Sequence, residues 1–62
     1  MKKLFYKVPE AVQSTGIGRS RLYEYMRTGE LESVTVGRSR LIPAEALEDF
    51  ARRLVESQRE AA

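Results

Sequence analysis

The most regular hydrophobic pattern lies in the last third of the chain. Leu47, Phe50 and Leu54 are spaced three and four residues apart, with charged residues between them. This spacing places their apolar side chains on one face of an α-helix, and Pro43 just before them is typical of a helix start. The pattern predicts a C-terminal helix with Phe50 as the largest side chain of the core. The segment 56–62 has no apolar stripe, and we expect it to fray.

A second helical pattern is bounded by glycines. Leu22, Tyr25 and Met26 share one helical face, and Gly29 stands where the end of a helix favours a left-handed residue. The two glycines within residues 16–18 predict a tight turn before this helix. The pattern therefore predicts a short amphipathic helix that begins after the turn and ends at Gly29.

The first part of the chain supplies the partner of this helix. Residues 4–8 are apolar and aromatic, which predicts a strand or an extended arm. Pro9 then begins a short helix that we expect to end near Ser14. Two short helices joined by a glycine-containing turn form a helix-turn-helix, and Ile17 in the turn is expected to pack between them.

A hairpin is predicted after the second helix. Residues 33–36 alternate polar and apolar side chains, residues 37–39 interrupt the pattern, and residues 40–42 resume an extended pattern. Two short runs around a three-residue loop with glycine indicate a β-hairpin. Leu31, just before it, is expected to close the core. The hairpin exposes basic residues that could contact phosphates or a minor groove; an ordinary hairpin with solvated arginines is the alternative.

Length and charge set the scale of the molecule. Its 62 residues predict a single domain over 1–62, with a core from about residue 4 to 55. Residues 1–40 carry eight Lys or Arg against four Glu, a balance of +4, whereas residues 41–62 carry three against five, a balance of −2. The basic charge thus accompanies the glycine turn and the hairpin, and it favours an anionic partner.

Composition argues against several classes of function. The chain has no cysteine and no histidine, which removes disulfides, thiolate metal sites and the usual general base near neutral pH. We therefore expect no enzyme activity, no metal, no cofactor and no small-molecule substrate. The sequence contains no apolar run long enough for a signal peptide or a membrane span, so we expect a cytoplasmic protein without membrane contact.

Several motifs together resemble a known family. They are the R-S-x-x-Y step from Arg19, the R-x-G-E-L step from Arg27, the V-x-V-G-R hairpin from Val34 and the I-P-x-E-x-L helix start from Ile42. Over roughly residues 5–54 the chain is similar to the excisionase-type DNA-binding domain, a MerR-like winged helix-turn-helix. The resemblance implies an α+β fold in which a helix-turn-helix is followed by a two-stranded basic hairpin, the wing, and a C-terminal helix.

The resemblance also implies roles for particular residues. It places Arg19, Ser20 and Arg21 in the major groove and assigns Tyr23 and Arg27 to the DNA backbone. Arg38 and Arg40 belong to the wing, with Ser39 exposed between them. The predicted DNA-binding residues are Arg19, Ser20, Arg21, Tyr23, Arg27, Arg38, Ser39 and Arg40. We expect the arginines of the helix and those of the wing to face the same side of the molecule.

Four departures from the family pattern stand out. One is acidic: Glu24 and Glu30 place negative charge near the basic face, and we expect them to limit non-specific affinity for DNA. The others concern helix packing, capping and the wing. Ser14 and Thr15 occupy positions where leucines are common, Gly18 replaces the usual serine cap, and Arg40 replaces a frequent aromatic residue of the wing. Exchange of a capping serine for glycine costs only a few tenths of a kcal/mol. We therefore expect a loosely packed first helix but an intact second one.

These observations predict a sequence-specific architectural protein. The resemblance implies an excisionase that binds and bends attachment-site DNA and directs an integrase towards excision. Its implied partners are double-stranded DNA, an integrase and further copies of the protein on the DNA. A small transcriptional regulator with the same fold is the alternative, and a module that binds only protein is a further one.

Overall fold

A computed structural model describes residues 3–61 of the chain, and the side chains of residues 3–59. In chain order the elements are β1 (Phe5–Lys7), α1 (Val8–Thr15), α2 (Arg19–Thr28), β2 (Val34–Val36), β3 (Ser39–Pro43) and α3 (Ala44–Ala61). This small α+β arrangement confirms the predicted winged helix-turn-helix with a C-terminal helix.

The first helix begins at a charged contact. The Glu10 carboxylate accepts a hydrogen bond of 2.8 Å from the Lys7 backbone N–H and also pairs with the Lys3 ammonium. The bond from Lys3, and after it the one from the Lys7 amide, lowers the pKa of Glu10 because both favour the ionised carboxylate. The negative charge of a carboxylate in the first turn also interacts favourably with the positive end of the helix dipole.

Thr15 organises the turn between α1 and α2. Its Oγ1 donates a hydrogen bond of 2.7 Å to the Ala11 carbonyl and accepts one of 3.1 Å from the Ile17 N–H. Gly16 follows with a φ of 75°, and its N–H donates to the Val12 carbonyl at 2.9 Å. A leucine at position 15 could make neither of these side-chain hydrogen bonds. Thr15, which departs from the family pattern, therefore stabilises the turn by two polar contacts. Ile17 is half-buried and packs against the core, as predicted.

The sheet has one strand more than the predicted hairpin. β3 lies in the centre and pairs antiparallel with both β1 and β2. Tyr6 pairs with Ile42 on one side of β3, and Val34 pairs with Leu41 on the other. The Leu4 carbonyl, just before β1, accepts a 2.8 Å hydrogen bond from the N–H of Ala44, where α3 begins. β1 therefore fixes the start of the chain to the base of the wing.

The turn of the wing is shorter than predicted. Ser39 pairs with Val36, so only Gly37 and Arg38 separate the two strands, and the predicted three-residue loop was wrong. Gly37 has a φ of 62°, whereas no residue other than glycine has a positive φ in the described part of the chain. A positive φ at the first central residue alone is the pattern of a type II′ turn, whose twist matches that of the paired strands.

The core lies between the helix-turn-helix, the sheet and α3. Its buried members are Val8, Ala11, Leu22, Met26, Leu31, Ile42, Leu47 and Phe50. The predicted burial of Leu22, Met26, Leu31 and Phe50 is confirmed. The ring of Tyr25 meets that of Phe50 edge to face, with centroids 4.8 Å apart. This contact connects α2 to α3.

The last helix is longer than its apolar stripe. α3 continues to Ala61, through residues that we expected to fray, and Ala62 lies outside the described residues. Fraying of the last turns stays a prediction. The Arg53 guanidinium donates a 2.7 Å hydrogen bond to the Glu30 carbonyl and so ties α3 to the loop after α2. No helix of the described chain is long and apolar enough to cross a membrane.

Candidate nucleic-acid interface

All of the predicted DNA-binding side chains are exposed. Five of them lie on α2: Arg19, Ser20, Arg21, Tyr23 and Arg27. The other three lie at the tip of the wing: Arg38, Ser39 and Arg40. Among the described side chains, no polar or charged one is buried. The charged groups of the predicted DNA-binding residues therefore lie at the surface, where a polyanion could reach them.

The start of α2 is polar and uncapped. Gly18 precedes the helix in an extended conformation, with a φ of −62° and a ψ of 155°, and offers no side chain to the first N–H groups. These N–H groups carry the positive end of the helix dipole. Arg19 and Arg21 add their charges in the same turn. The N-terminal end of α2 is thus a positive surface suited to an anion.

The buried side of α2 defines its outward side. Leu22 and Met26 face the core, and successive helical residues advance by about 100° around the axis. The positions opposite the core are therefore Ser20, Glu24, Arg27 and Thr28. Two of them were predicted as DNA-binding residues. Glu24 was not, although the helical period alone would have placed it in this row.

Two of the predicted arginines on α2 contact neighbours on the same helix. The guanidinium of Arg19 lies over the ring of Tyr23, 5.5 Å from its centroid. The Arg27 guanidinium pairs with the Glu24 carboxylate at 2.6 Å, with 70% and 61% of the two side chains exposed. Exposed pairs of this kind contribute about 0–1 kcal/mol. Both arginines could therefore turn donors of their guanidinium groups towards a duplex at small cost to the fold.

The wing residues lie on a short, twisted hairpin. Arg38 is the second residue of the turn, and Arg40 pairs with Thr35 across the strands. The Arg40 guanidinium donates a hydrogen bond of 2.9 Å to the Ser33 hydroxyl. Since residues two apart on a strand share a face, Arg40 lies on the same face as the buried Ile42. It therefore occupies the place expected for an aromatic residue, but it stays exposed and bonded to Ser33.

The two groups of predicted residues are not joined by a hydrogen bond or an ion pair within the described chain. Each group is held by its own element, α2 or the wing. Their common orientation towards one partner stays a prediction, as does the role of each residue in DNA binding.

Comparison with known proteins identifies the family. A family profile described as "Helix-turn-helix domain" matches residues 5–55. A protein of Saccharopolyspora erythraea named "Probable excisionase" is 41% identical over 56 residues, which cover 90% of this chain and 57% of that protein. An "Excisionase" of Streptomyces ambofaciens is 37% identical over 43 residues, which cover 69% of this chain and 69% of that protein. No solved structure matches the chain significantly.

The extent of these matches decides what they show. The chain spans 57% of the length of the Saccharopolyspora relative, so the match covers one part of that protein and not the whole of it. The family profile, in contrast, covers α1, α2, the wing and most of α3. A relation to the MerR family stays a prediction. The chain therefore belongs to the helix-turn-helix domain family, as an excisionase-type member.

Proposed function

We propose that this protein is a DNA-binding excisionase: it binds and bends attachment-site DNA and directs an integrase towards excision. One observation carries the proposal. An exposed helix with a basic first turn and an exposed basic wing occur together in a domain whose relatives are named excisionases. Either element alone is common among small proteins, whereas the combination is suited to a duplex.

In this proposal α2 enters the major groove by its N-terminal end. Arg19, Ser20 and Arg21 face the base edges, where an arginine can donate two hydrogen bonds to the O6 and N7 of a guanine. Tyr23 and Arg27 contact the sugar-phosphate backbone beside the groove. The uncapped N–H groups after Gly18 strengthen the attraction of this end for phosphate.

The wing holds the DNA beside the groove. Three of its residues contact phosphates or the adjacent minor groove: Arg38 in the turn, and Ser39 and Arg40 at the start of β3. Arg40 exchanges its exposed bond to the neutral Ser33 hydroxyl for one to a phosphate oxygen, in which donor and acceptor are both charged and the bond is therefore stronger. Contacts of this type fix the position of the protein without reading the sequence.

Bending follows from using both elements at once. A bend of 40–90° over 20–30 base pairs costs about 1–6 kcal/mol. Contacts from α2 and from the wing offset this cost if the duplex must curve to reach both. Several copies on repeated sites would add their bends and present the DNA to an integrase.

The proposed role is structural and not catalytic. Within the part of the chain that the structure describes, no group of three or more Asp, Glu, His or Cys side chains is placed to hold a metal ion. Among the described side chains of α3, the glutamates Glu45, Glu48 and Glu56 are all exposed. Because its partner is DNA, we place the protein in the cytoplasm.

A salt titration of duplex binding tests the proposal. If about five phosphates are neutralised, the logarithm of the association constant should fall with the logarithm of salt concentration at a slope of about −4 to −5. A fluorescence-anisotropy titration with a labelled duplex from 50 to 300 mM KCl measures it. A flat slope would instead favour a module that binds only protein.

A circular-permutation assay then separates the two DNA-binding functions. A bound duplex whose mobility depends on the position of the site is bent, as an excisionase requires. Binding without a bend would favour a transcriptional regulator with the same fold.

A further inference from the structure

Glu24 is the one acidic residue on α2, and it lies in the middle of the outward face. The sequence of the helix, RSRLYEYMRT, places it among three arginines. Ser20 precedes it by four positions and Arg27 follows by three, so that these side chains form one row opposite Leu22 and Met26. A helix inserted into a groove by this face would carry the carboxylate to the base edges.

The fold itself gives Glu24 little to do. Its side chain is 61% exposed, and its ion pair with Arg27 is a surface pair between residues three apart on the helix. Such pairs contribute only about 0.2–0.5 kcal/mol to a helix. A carboxylate in the first turn of a helix interacts favourably with the helix dipole, but Glu24 lies beyond the first turn of α2. The packing of the protein thus does not require a negative charge at this position. A negative charge that faces DNA also weakens the electrostatic attraction of the protein for DNA of any sequence.

A carboxylate in the major groove can, however, accept a hydrogen bond from a base. Cytosine presents its N4 amino group there as a donor, whereas adenine presents its N6 amino group next to the N7 acceptor, which would repel the carboxylate. The Arg27 guanidinium is bonded to Oε1 of Glu24. Among the described residues, no hydrogen bond to Oε2 is found, so this oxygen is available to a base.

We propose that Glu24 is a specificity-determining residue that selects a C·G base pair by accepting a hydrogen bond from cytosine N4. This inference rests on the proposed DNA-binding function and deepens it. Where the base opposite Glu24 has no suitable donor, the carboxylate is left desolvated without a partner, and that sequence is rejected. Arg27 keeps one N–H of its guanidinium on Oε1 and so orients the carboxylate, while its remaining donors contact the phosphates.

The surroundings of Glu24 fit this role. A shallow depression in the surface is lined by Arg21, Glu24 and Tyr25, together with the uncapped start of the helix from Gly18 to Ser20. Arg21 can donate to a guanine next to the selected cytosine, while Glu24 accepts. Donors and an acceptor on one face read two different bases, whereas arginines alone would favour guanine only.

The test compares Glu24→Ala with a matched control, Glu48→Ala. Glu48 is an exposed glutamate on α3, so that the control removes the same charge from another helix. Both variants should fold, because the side chains are exposed and alanine favours a helix. Circular dichroism spectra check this. Duplexes are then selected from a random pool by each protein, and affinities are measured at one salt concentration.

We expect the wild type and Glu48→Ala to select a cytosine at one common position. Glu24→Ala should lose about tenfold of the discrimination at that position and keep the preferences at the others. It should also bind random duplexes more tightly, because a negative charge has been removed from the face that meets DNA.

The outcomes separate this inference from the function on which it rests. Unchanged preferences in Glu24→Ala, or an equal loss at every position, would overturn the role of Glu24 while leaving DNA binding intact. Absence of salt-dependent duplex binding by the wild type would instead overturn the proposed function itself.

Discussion

At the scale of single residues, the exposed arginines are held by weak contacts that are easily exchanged. Arg19 lies over the ring of Tyr23, Arg27 pairs with Glu24, and Arg40 is bonded to Ser33. A long side chain fixed in this way has lost part of its rotamer entropy before any partner arrives. The cost of ordering it on a duplex is correspondingly smaller. Local contacts between exposed residues can thus favour binding even though they add little to stability.

The two groups of arginines should respond differently to substitution. Arg19→Ala and Arg21→Ala should each relax the sequence preference by about 1–3 kcal/mol if the arginine donates two bonds to a guanine. Arg38→Ala should weaken binding to all sequences alike, since it removes a phosphate contact. Dissociation constants for a selected duplex and for a scrambled one measure the difference. A wing variant that changes base preference, with helix variants that do not, would reverse the assigned roles.

The residues of the site were only partly accessible from the sequence. Exposure of Arg21 and Arg27 follows from the period of α2, because Leu22 and Met26 fix the buried face. Arg19 lies on the same side of the helix as Leu22 and Met26, and it is exposed at the first position of the helix. Glu24 was not among the predicted binding residues, because phosphates and guanine edges attract basic side chains, although the same period places it outward. The contacts of Arg19 with Tyr23 and of Arg40 with Ser33 depend on side-chain rotamers and strand register, and neither can be read from residue spacing.

At the scale of elements, glycines set the ends of both helices in the helix-turn-helix. α1 ends at Gly16 and α2 at Gly29, which has a φ of 88° and donates its N–H to the Met26 carbonyl at 3.3 Å. An added methyl group at Gly29 would find no heavy atom within 4 Å. Any penalty for a larger residue there comes from the left-handed backbone and not from a clash.

Gly29→Ala should therefore destabilise the protein by about 1–2 kcal/mol, the cost of a left-handed conformation for a residue with a Cβ atom. Urea unfolding followed by circular dichroism measures the change. Gly29→Asn is the control, because asparagine tolerates this conformation better and should recover part of the loss. Equal stability of the wild type and the alanine variant would show that α2 does not end as described.

Elements formed by local periodicity were predicted better than those formed by pairing. The helices follow from apolar spacing and from the positions of proline and glycine. The role of β1 depends on Tyr6 meeting Ile42, which lies 36 positions later, and no local pattern reveals that pairing. The length of the turn also escaped prediction, since Ser39 belongs to the strand only because it pairs with Val36.

At the scale of the whole molecule, one small core holds all the functional elements in place. Phe50 of α3 touches Tyr25 of α2, and Arg53 bonds the loop after α2. Ile42 in β3 is fully buried in the same cluster, so that the base of the wing and α2 share one packing unit. A chain of this length buries only about 60% of its unfolded surface. A defect in the core should therefore disturb both DNA-binding elements together.

Phe50→Ala tests whether one core supports both α2 and the wing. Phe50 is 2% exposed, and removal of a buried phenylalanine side chain costs about 3–5 kcal/mol. Because small domains are stable by only about 5–15 kcal/mol, the variant should lose most or all of its cooperative thermal transition. Phe5→Ala, the same substitution at a side chain that is 42% exposed, is the control and should have a much smaller effect.

Thermal unfolding monitored by circular dichroism compares the two variants with the wild type. If Phe50→Ala keeps a cooperative transition near that of the wild type, Phe50 does not anchor the core, and α2 and the wing are held together by other contacts. If the transition is lost, DNA binding should be lost with it at the same temperature, including the sequence-independent part carried by the wing. The position of α2 and the wing on a duplex would then depend on a side chain that touches no DNA.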